Sequence, residues 1–280
     1  MTKSAIATLI LSALVACCGQ SSNGPTSPAE PGVLFSDDFE SGTLKAWQDG
    51  MDPSRHRIVS DATQAQSGSR YLAVTYPAGR DGGWLTRFLK PAGDSLYVSY
   101  YVRFPENWQG QTKLVSLYGS RTDDRWSAFG KAGTCPTGTD FFATTLVTAP
   151  EGNPGPARFY TYYPGMAREP DGVTCWGRYG KGAGSEQGVQ SADYASSLTM
   201  SRGVWHHIEF WVEINTPGRA DGRQGFWIDG KPKGSWSGLA FRDSEILRLN
   251  AVQLSFSATG GVPQTQELDV DNLVVRTTRP

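Results

Sequence analysis

Three side chains at strand spacing carry the first chemical signal. In Arg158-Phe159-Tyr160-Thr161-Tyr162-Tyr163, alternation places Arg158, Tyr160 and Tyr162 on one face, opposite Phe159, Thr161 and Tyr163. A free phenol titrates at about 10, and a neighbouring cation lowers that value until the phenolate can act as a base. One guanidinium and two phenols in a row therefore suit anion binding and proton transfer, although cross-strand Tyr and Arg stacks are also ordinary sheet chemistry. In 113–118, Lys113, Val115 and Leu117 alternate with Leu114, Ser116 and Tyr118. Lys113 becomes interesting only if Tyr160 and Tyr162 stand near it. In 205–214, Trp205, His207, Glu209 and Trp211 share one face, and His206, Ile208, Phe210 and Val212 form a core-like one. Indole rings stack on sugars, and carboxylates and imidazoles bind hydroxyls. The alternative is an aromatic sheet face covered by loops.

Acidic residues gather at both ends of the folded part: Asp37, Asp38 and Glu40 at the start, Asp269 and Asp271 at the finish. If the terminal strands meet, Asp38, Glu40 and Asp271 could hold a structural Ca²⁺, which takes about six to eight oxygen ligands. Otherwise they are polar outward positions. No G-x-S-x-G, H-E-x-x-H, Walker loop or G-x-G-x-x-G is present, and the chain has only three His.

The chain has 280 residues, with 26 Lys+Arg against 27 Asp+Glu. A net charge of -1 gives no general attraction for nucleic acid or an anionic membrane, so an anion site must be a local cationic cluster. The 33 Gly, 17 Pro and 32 aromatics (9 Trp, 11 Tyr, 12 Phe) argue against a helical bundle.

The start, MTKSAIATLILSALVACCGQ, combines Lys3 with an apolar stretch from Ala5 to Ala16 that is too short to span a bilayer. It reads as an export signal over residues 1–16. Leu14-Val15-Ala16-Cys17 resembles a bacterial lipobox, in which Cys17 is acylated after cleavage. Residues 17–32, rich in Ser, Pro and Gly, read as a tether. The expectation is a protein of the bacterial cell envelope, attached through its N-terminal lipid or otherwise secreted, and monomeric. Export favours disulfides, and Cys135 and Cys175 are the remaining pair; bridging them closes a long loop, worth about 3–4 kcal/mol on a chain-entropy account.

From residue 33 to 280 the positioning elements are short strand-like runs separated by Gly, Pro, Asp and Asn. They are 33–35, 71–76, 95–104, 113–118, 141–148, 158–163, 205–214, 224–228, 251–256 and 267–276. Many short strands with turn chemistry between them predict an all-β sandwich of two antiparallel sheets, a jelly roll. Gly165 to Gln190 reads as a functional or merely solvated loop, and 192–200 as one or two helical turns.

Several motifs add a resemblance. They are Tyr100-Tyr101-Val102-Arg103-Phe104-Pro105, Lys113-Leu114-x-x-Leu117-x-Gly119 and Tyr160-x-Tyr162-x-Pro164. With them goes Trp205-His206-x-Ile208-Glu209, continuing to Trp227-Ile228-Asp229-Gly230. Together these resemble the concanavalin A-like polysaccharide lyases of families 14 and 20. The opening Phe35-x-Asp37-Asp38-Phe39-Glu40-Ser41-Gly42 resembles secreted carbohydrate-active jelly rolls. The resemblance implies a groove on one sheet in which Lys113, Tyr160 and Tyr162 face an acidic glycan. It also implies β-elimination at a uronate, with no obligatory cofactor. The family's Ser-x-Arg strand corresponds here to 141–148, which has Thr144 and Thr145 and no basic residue; Arg158 or Arg125 is then the candidate replacement.

The leading expectation is an exported lyase of an acidic polysaccharide. Lys113, Tyr160 and Tyr162 would be catalytic, and Arg158, His207, Glu209, Trp211, Trp205 and Arg125 would bind substrate. The alternative is a non-catalytic glycan-binding lipoprotein using Trp205, Trp211 and Trp227. A retaining glycosidase with Glu209 as one carboxylate is a third reading.

Overall fold

The structure, a computed structural model, describes residues 32–149, 152–179 and 199–280. Cys17, the expected signal, nearly all of the tether and the 192–200 turn up to residue 198 lie outside the described residues, as does 180–190 of the Gly165–Gln190 stretch.

Fourteen strands are described: β1 (Val33–Asp37), β2 (His56–Ser60), β3 (Arg70–Tyr76), β4 (Trp84–Gly93), β5 (Ser95–Arg103), β6 (Lys113–Arg121), β7 (Phe142–Thr148), β8 (Ala157–Tyr162), β9 (Arg178–Tyr179), β10 (Trp205–Glu213), β11 (Gly222–Ile228), β12 (Lys231–Leu239), β13 (Leu247–Ser255) and β14 (Gln266–Arg276). They build the expected two antiparallel sheets. The larger runs β12-β11-β10-β5-β14-β3-β2 with β1 beside β14, and the smaller runs β4-β13-β6-β7-β8-β9.

Strand alternation accounts for how the sheets pack. In β5, Leu96, Val98, Tyr100 and Val102 point into the core. In β10, Ile208, Phe210 and Val212 do the same. From the smaller sheet, Phe159 on β8 meets three rings of the larger one: Phe210 at 5.4 Å, Phe226 at 5.2 Å and Trp236 at 4.9 Å. Full burial of a Phe side chain contributes about 1.5–3 kcal/mol, and truncating one to Ala costs about 3–5 kcal/mol.

Two devices fix the strands that matter for function. Thr144 on β7 bonds Thr161 on β8 at 2.9 Å and Gln224 on β11 at 2.8 Å, so a polar pin crosses the core behind the outer face of β7 and β8. Gly119 on β6 lies opposite Phe142 on β7, and a β-carbon there would stand 1.8 Å from the Phe142 ring. Only Gly allows that approach.

Candidate active site

The outer face of the smaller sheet carries the site. On β8, Tyr160 and Tyr162 point outward while Phe159 faces the core. On β7, Thr145 is the neighbour of Tyr160 on one side and of Ser116 on the other, and the Ser116 and Thr145 hydroxyls bond at 2.8 Å. On β6 simple alternation fails. A bulge between Lys113 and Val115 shifts the register, so Lys113 joins the face of Ser116 and Tyr118 rather than that of Val115 and Leu117. This irregularity is what brings Lys113 to the phenols.

A cleft of about 160 Å³ is lined by Lys113, Tyr118, Thr145, Phe141, Tyr160 and Tyr162, and by a wall that includes Lys131. The Tyr160 and Tyr162 hydroxyls are 3.1 Å apart. Lys113 Nζ lies 5.2 Å from the Tyr160 ring centre. Burial pushes the Lys113 ammonium below its ordinary pKa, partly offset by the Asp81 carboxylate. The Gly133 amide donates to the Tyr162 hydroxyl at 3.4 Å. Tyr118 is held differently: its hydroxyl donates to Gln253 at 3.0 Å, and burial pushes its pKa up to about 12. It forms floor, while Tyr160 and Tyr162 form a coupled pair. No Asp or Glu is among the described residues that line it.

The wall is the connection from β6 to β7, and its two ends are fixed. Phe129 stacks on Tyr118 at 4.4 Å, and Trp126 meets Phe88 edge-on at 4.7 Å. At the other end, Cys135 and Cys175 form a disulfide, and the Cys175 amide donates to the Gly133 carbonyl at 3.0 Å. The bridge therefore holds the residue whose amide meets Tyr162.

Other expected site residues lie elsewhere. Arg158 shares the outward face of β8 with the two Tyr but does not line the cleft. Arg125 packs over Phe88 at 4.5 Å and Trp126 at 5.6 Å and is not among the residues lining the cleft. Trp205, His207, Glu209 and Trp211 are on β10 in the middle of the larger sheet, so their outward face looks away from the cleft. They share a strand face with one another, as alternation predicts, but not a groove with Lys113. His207 stacks on Tyr101 at 4.7 Å. Glu209 is buried, accepting from Tyr97 at 2.8 Å and Arg279 at 3.1 Å.

The terminal acids also do something other than expected. Glu40 accepts from the Ser69 and Arg70 amides at 2.7 and 2.6 Å. Asp271 accepts from Gln66 at 3.0 Å, from Ser67 at 3.4 Å and from Asn272 at 2.8 Å. Asp38 accepts from the Glu40 amide at 3.1 Å. These carboxylates face amide donors and tie the 66–70 turn to the terminal strands. As placed they do not form an oxygen cage for calcium, and among the described residues no three metal-binding side chains converge.

A family description, Polysaccharide lyase 14, matches residues 64–265, more than half of the chain. The chain belongs to the polysaccharide lyase 14 family. Among solved structures, the PL-14 alginate lyase from Aplysia kurodai is similar with a TM-score of 0.65 and 17% identity, over 88% of this chain and 99% of that one. Alginate lyase vAL-1 from Chlorella virus gives 0.62 and 14% identity, over 88% and 100%. The endo-beta-1,4-glucuronan lyase from the fungus Trichoderma reesei gives 0.56 and 16% identity, over 88% and 96%. At these identities the likeness is one of fold. No protein of curated function matches this polysaccharide lyase 14 chain.

Of the groups lining the cleft, Lys131, Phe141 and Tyr118 carried no functional signal in the sequence. Lys131 lies in Gly130-Lys131-Ala132-Gly133-Thr134, which has the composition of a solvated loop.

Proposed function

We propose that this cleft cleaves an acidic, uronate-containing polysaccharide by β-elimination. The observation that carries the reading is the pair of phenol hydroxyls 3.1 Å apart beside a half-buried ammonium, in a cleft lined by no carboxylate among the described residues. Membership of a polysaccharide lyase family supports it, as does the fold shared with alginate and glucuronan lyases.

In the reaction, Lys113 faces the uronate carboxylate, and its charge favours the electron density that builds there as C5 loses its proton. One phenolate of the pair takes the C5 proton. The C5–H electron pair becomes the C4=C5 double bond, the C4–O bond breaks, and the other phenol protonates the departing oxygen. The 3.1 Å contact then offers a path for returning the proton between the two oxygens. The Gly133 amide orients the Tyr162 hydroxyl, and the Lys113 ammonium stands over the Tyr160 ring.

The wider setting we infer is export and attachment through Cys17, which rests on the N-terminal sequence. Glycan binding without cleavage is the second reading. It draws on the Trp-bearing face of the larger sheet, but a guanidinium already sits over each ring: Arg103 at 4.7 Å from Trp205, Arg223 at 5.4 Å from Trp211 and Arg279 at 4.0 Å from Trp227. Among the described residues the cleft offers no pair of carboxylates for a glycosidase reading. Size-exclusion profiles of alginate and glucuronan after incubation separate the first two. Shortened chains support cleavage, and retention of intact chains on the protein supports binding alone.

A further inference from the structure

Lys131 is the second cation of the cleft. It opens the turn closed by the Thr134 amide on the Lys131 carbonyl at 3.0 Å, the same turn that aims Gly133 at Tyr162. Its ammonium lies 6.0 Å from the Phe141 ring centre. From there an aromatic row crosses the cleft: Phe141 to Tyr162 at 6.2 Å, then Tyr162 to Tyr160 at 5.5 Å, with Lys113 5.2 Å beyond. One ammonium therefore stands at each end of a row of three rings. No carboxylate among the described residues is within ion-pair distance of either, and none lines the cleft. The floor between them, Thr145 and Ala143 on β7, carries no charge.

Two separated ammoniums in one cleft match a ligand with two separated anions. A run of uronates presents one carboxylate per sugar. We infer that Lys131 binds a second carboxylate of the same chain while Lys113 faces the uronate being cleaved, so that the cleft favours dense runs of uronates over sparse ones. Lys131 is thus a specificity-determining group and takes no part in the proton transfers. The inference rests on the proposed lyase reading.

The test compares wild type, Lys131→Met and Lys131→Arg on a homopolymeric uronate and on a polymer in which uronates alternate with neutral sugars, with melting temperatures recorded. Losing one charge-assisted contact should raise KM on the homopolymer about ten- to a hundredfold in Lys131→Met. The expected kcat stays within a few-fold of wild type, Lys131→Arg restores KM, and the wild-type preference for the homopolymer narrows in Lys131→Met. An active wild type with KM and preference unchanged in Lys131→Met overturns this inference alone. A wild type that cleaves neither polymer overturns the lyase reading with it.

Discussion

Gly177 lies flat against the ring of Tyr160: a β-carbon there would stand 2.8 Å from Cγ, Cδ1 and Cε1. Gly177 is two residues beyond Cys175, so the disulfide-bonded segment supplies one surface of the slot that orients Tyr160. Gly177→Ala should displace the ring. A shift on the order of 1 Å at a reacting group costs roughly a hundredfold in rate, whereas overpacking costs about 1–3 kcal/mol of stability. Activity should therefore fall far more than the melting temperature suggests, with kcat and thermal unfolding measured on the same preparation.

Tyr160→Phe and Tyr162→Phe each remove one of the two paired hydroxyls and leave the ring in place. Each should lower kcat by about 10²–10⁴-fold, the range for loss of a general acid or base. The double variant should fall much less than the product of the two, because the pair acts as a unit. Steady-state rates of the three variants test this, and full additivity would separate the two roles.

The pH dependence has two opposite signs. Burial holds the Lys113 ammonium below its ordinary pKa of 10.5. The unfolded chain binds the proton more readily, so this residue's contribution to stability rises with pH through the window below 10.5 and is lost as pH falls through the folded-state value. Catalysis needs the ammonium, so kcat/KM should decline on the alkaline side within that same window. Lys113→Arg keeps its charge there and should move the decline upward. An alkaline limb identical in Lys113→Arg and wild type assigns it to another group.

Replacing Cys135 and Cys175 with Ser opens a closed loop of sequence separation 40. The chain-entropy account gives a loss of roughly 3–4 kcal/mol. Because Gly133 and Gly177 flank the bridge, kcat should fall at temperatures well below the melting point. Rates at low temperature, set beside melting curves, distinguish this from simple unfolding.

The parts of the fold that sequence reading finds and misses follow a physical division. Each run named from apolar alternation has its strand. The strands with no counterpart are β2, β4, β9 and β12, which end the two sheets. Edge strands have one free side and tolerate breakers: β4 contains Pro91, and β12 contains Pro232, Gly234 and Gly238. Within the site, the outward placement of Tyr160 and Tyr162 follows from period-two alternation. The placement of Lys113 does not, because a bulge changes its face. Alternation also groups Trp205, His207, Glu209 and Trp211, but it cannot say which sheet a strand joins. Lys131 comes from a Gly-rich loop whose position depends on a distant disulfide and on the Tyr118–Phe129 stack, neither of which has a local pattern.

The most direct measurement is the ultraviolet absorbance of unsaturated uronate ends released from polymannuronate, polyguluronate and glucuronan, with wild type beside Tyr160→Phe. The account predicts rising absorbance with at least one polymer for wild type and near-complete loss of it in the variant. No absorbance with any polymer at high enzyme, or equal absorbance from the variant, would contradict it.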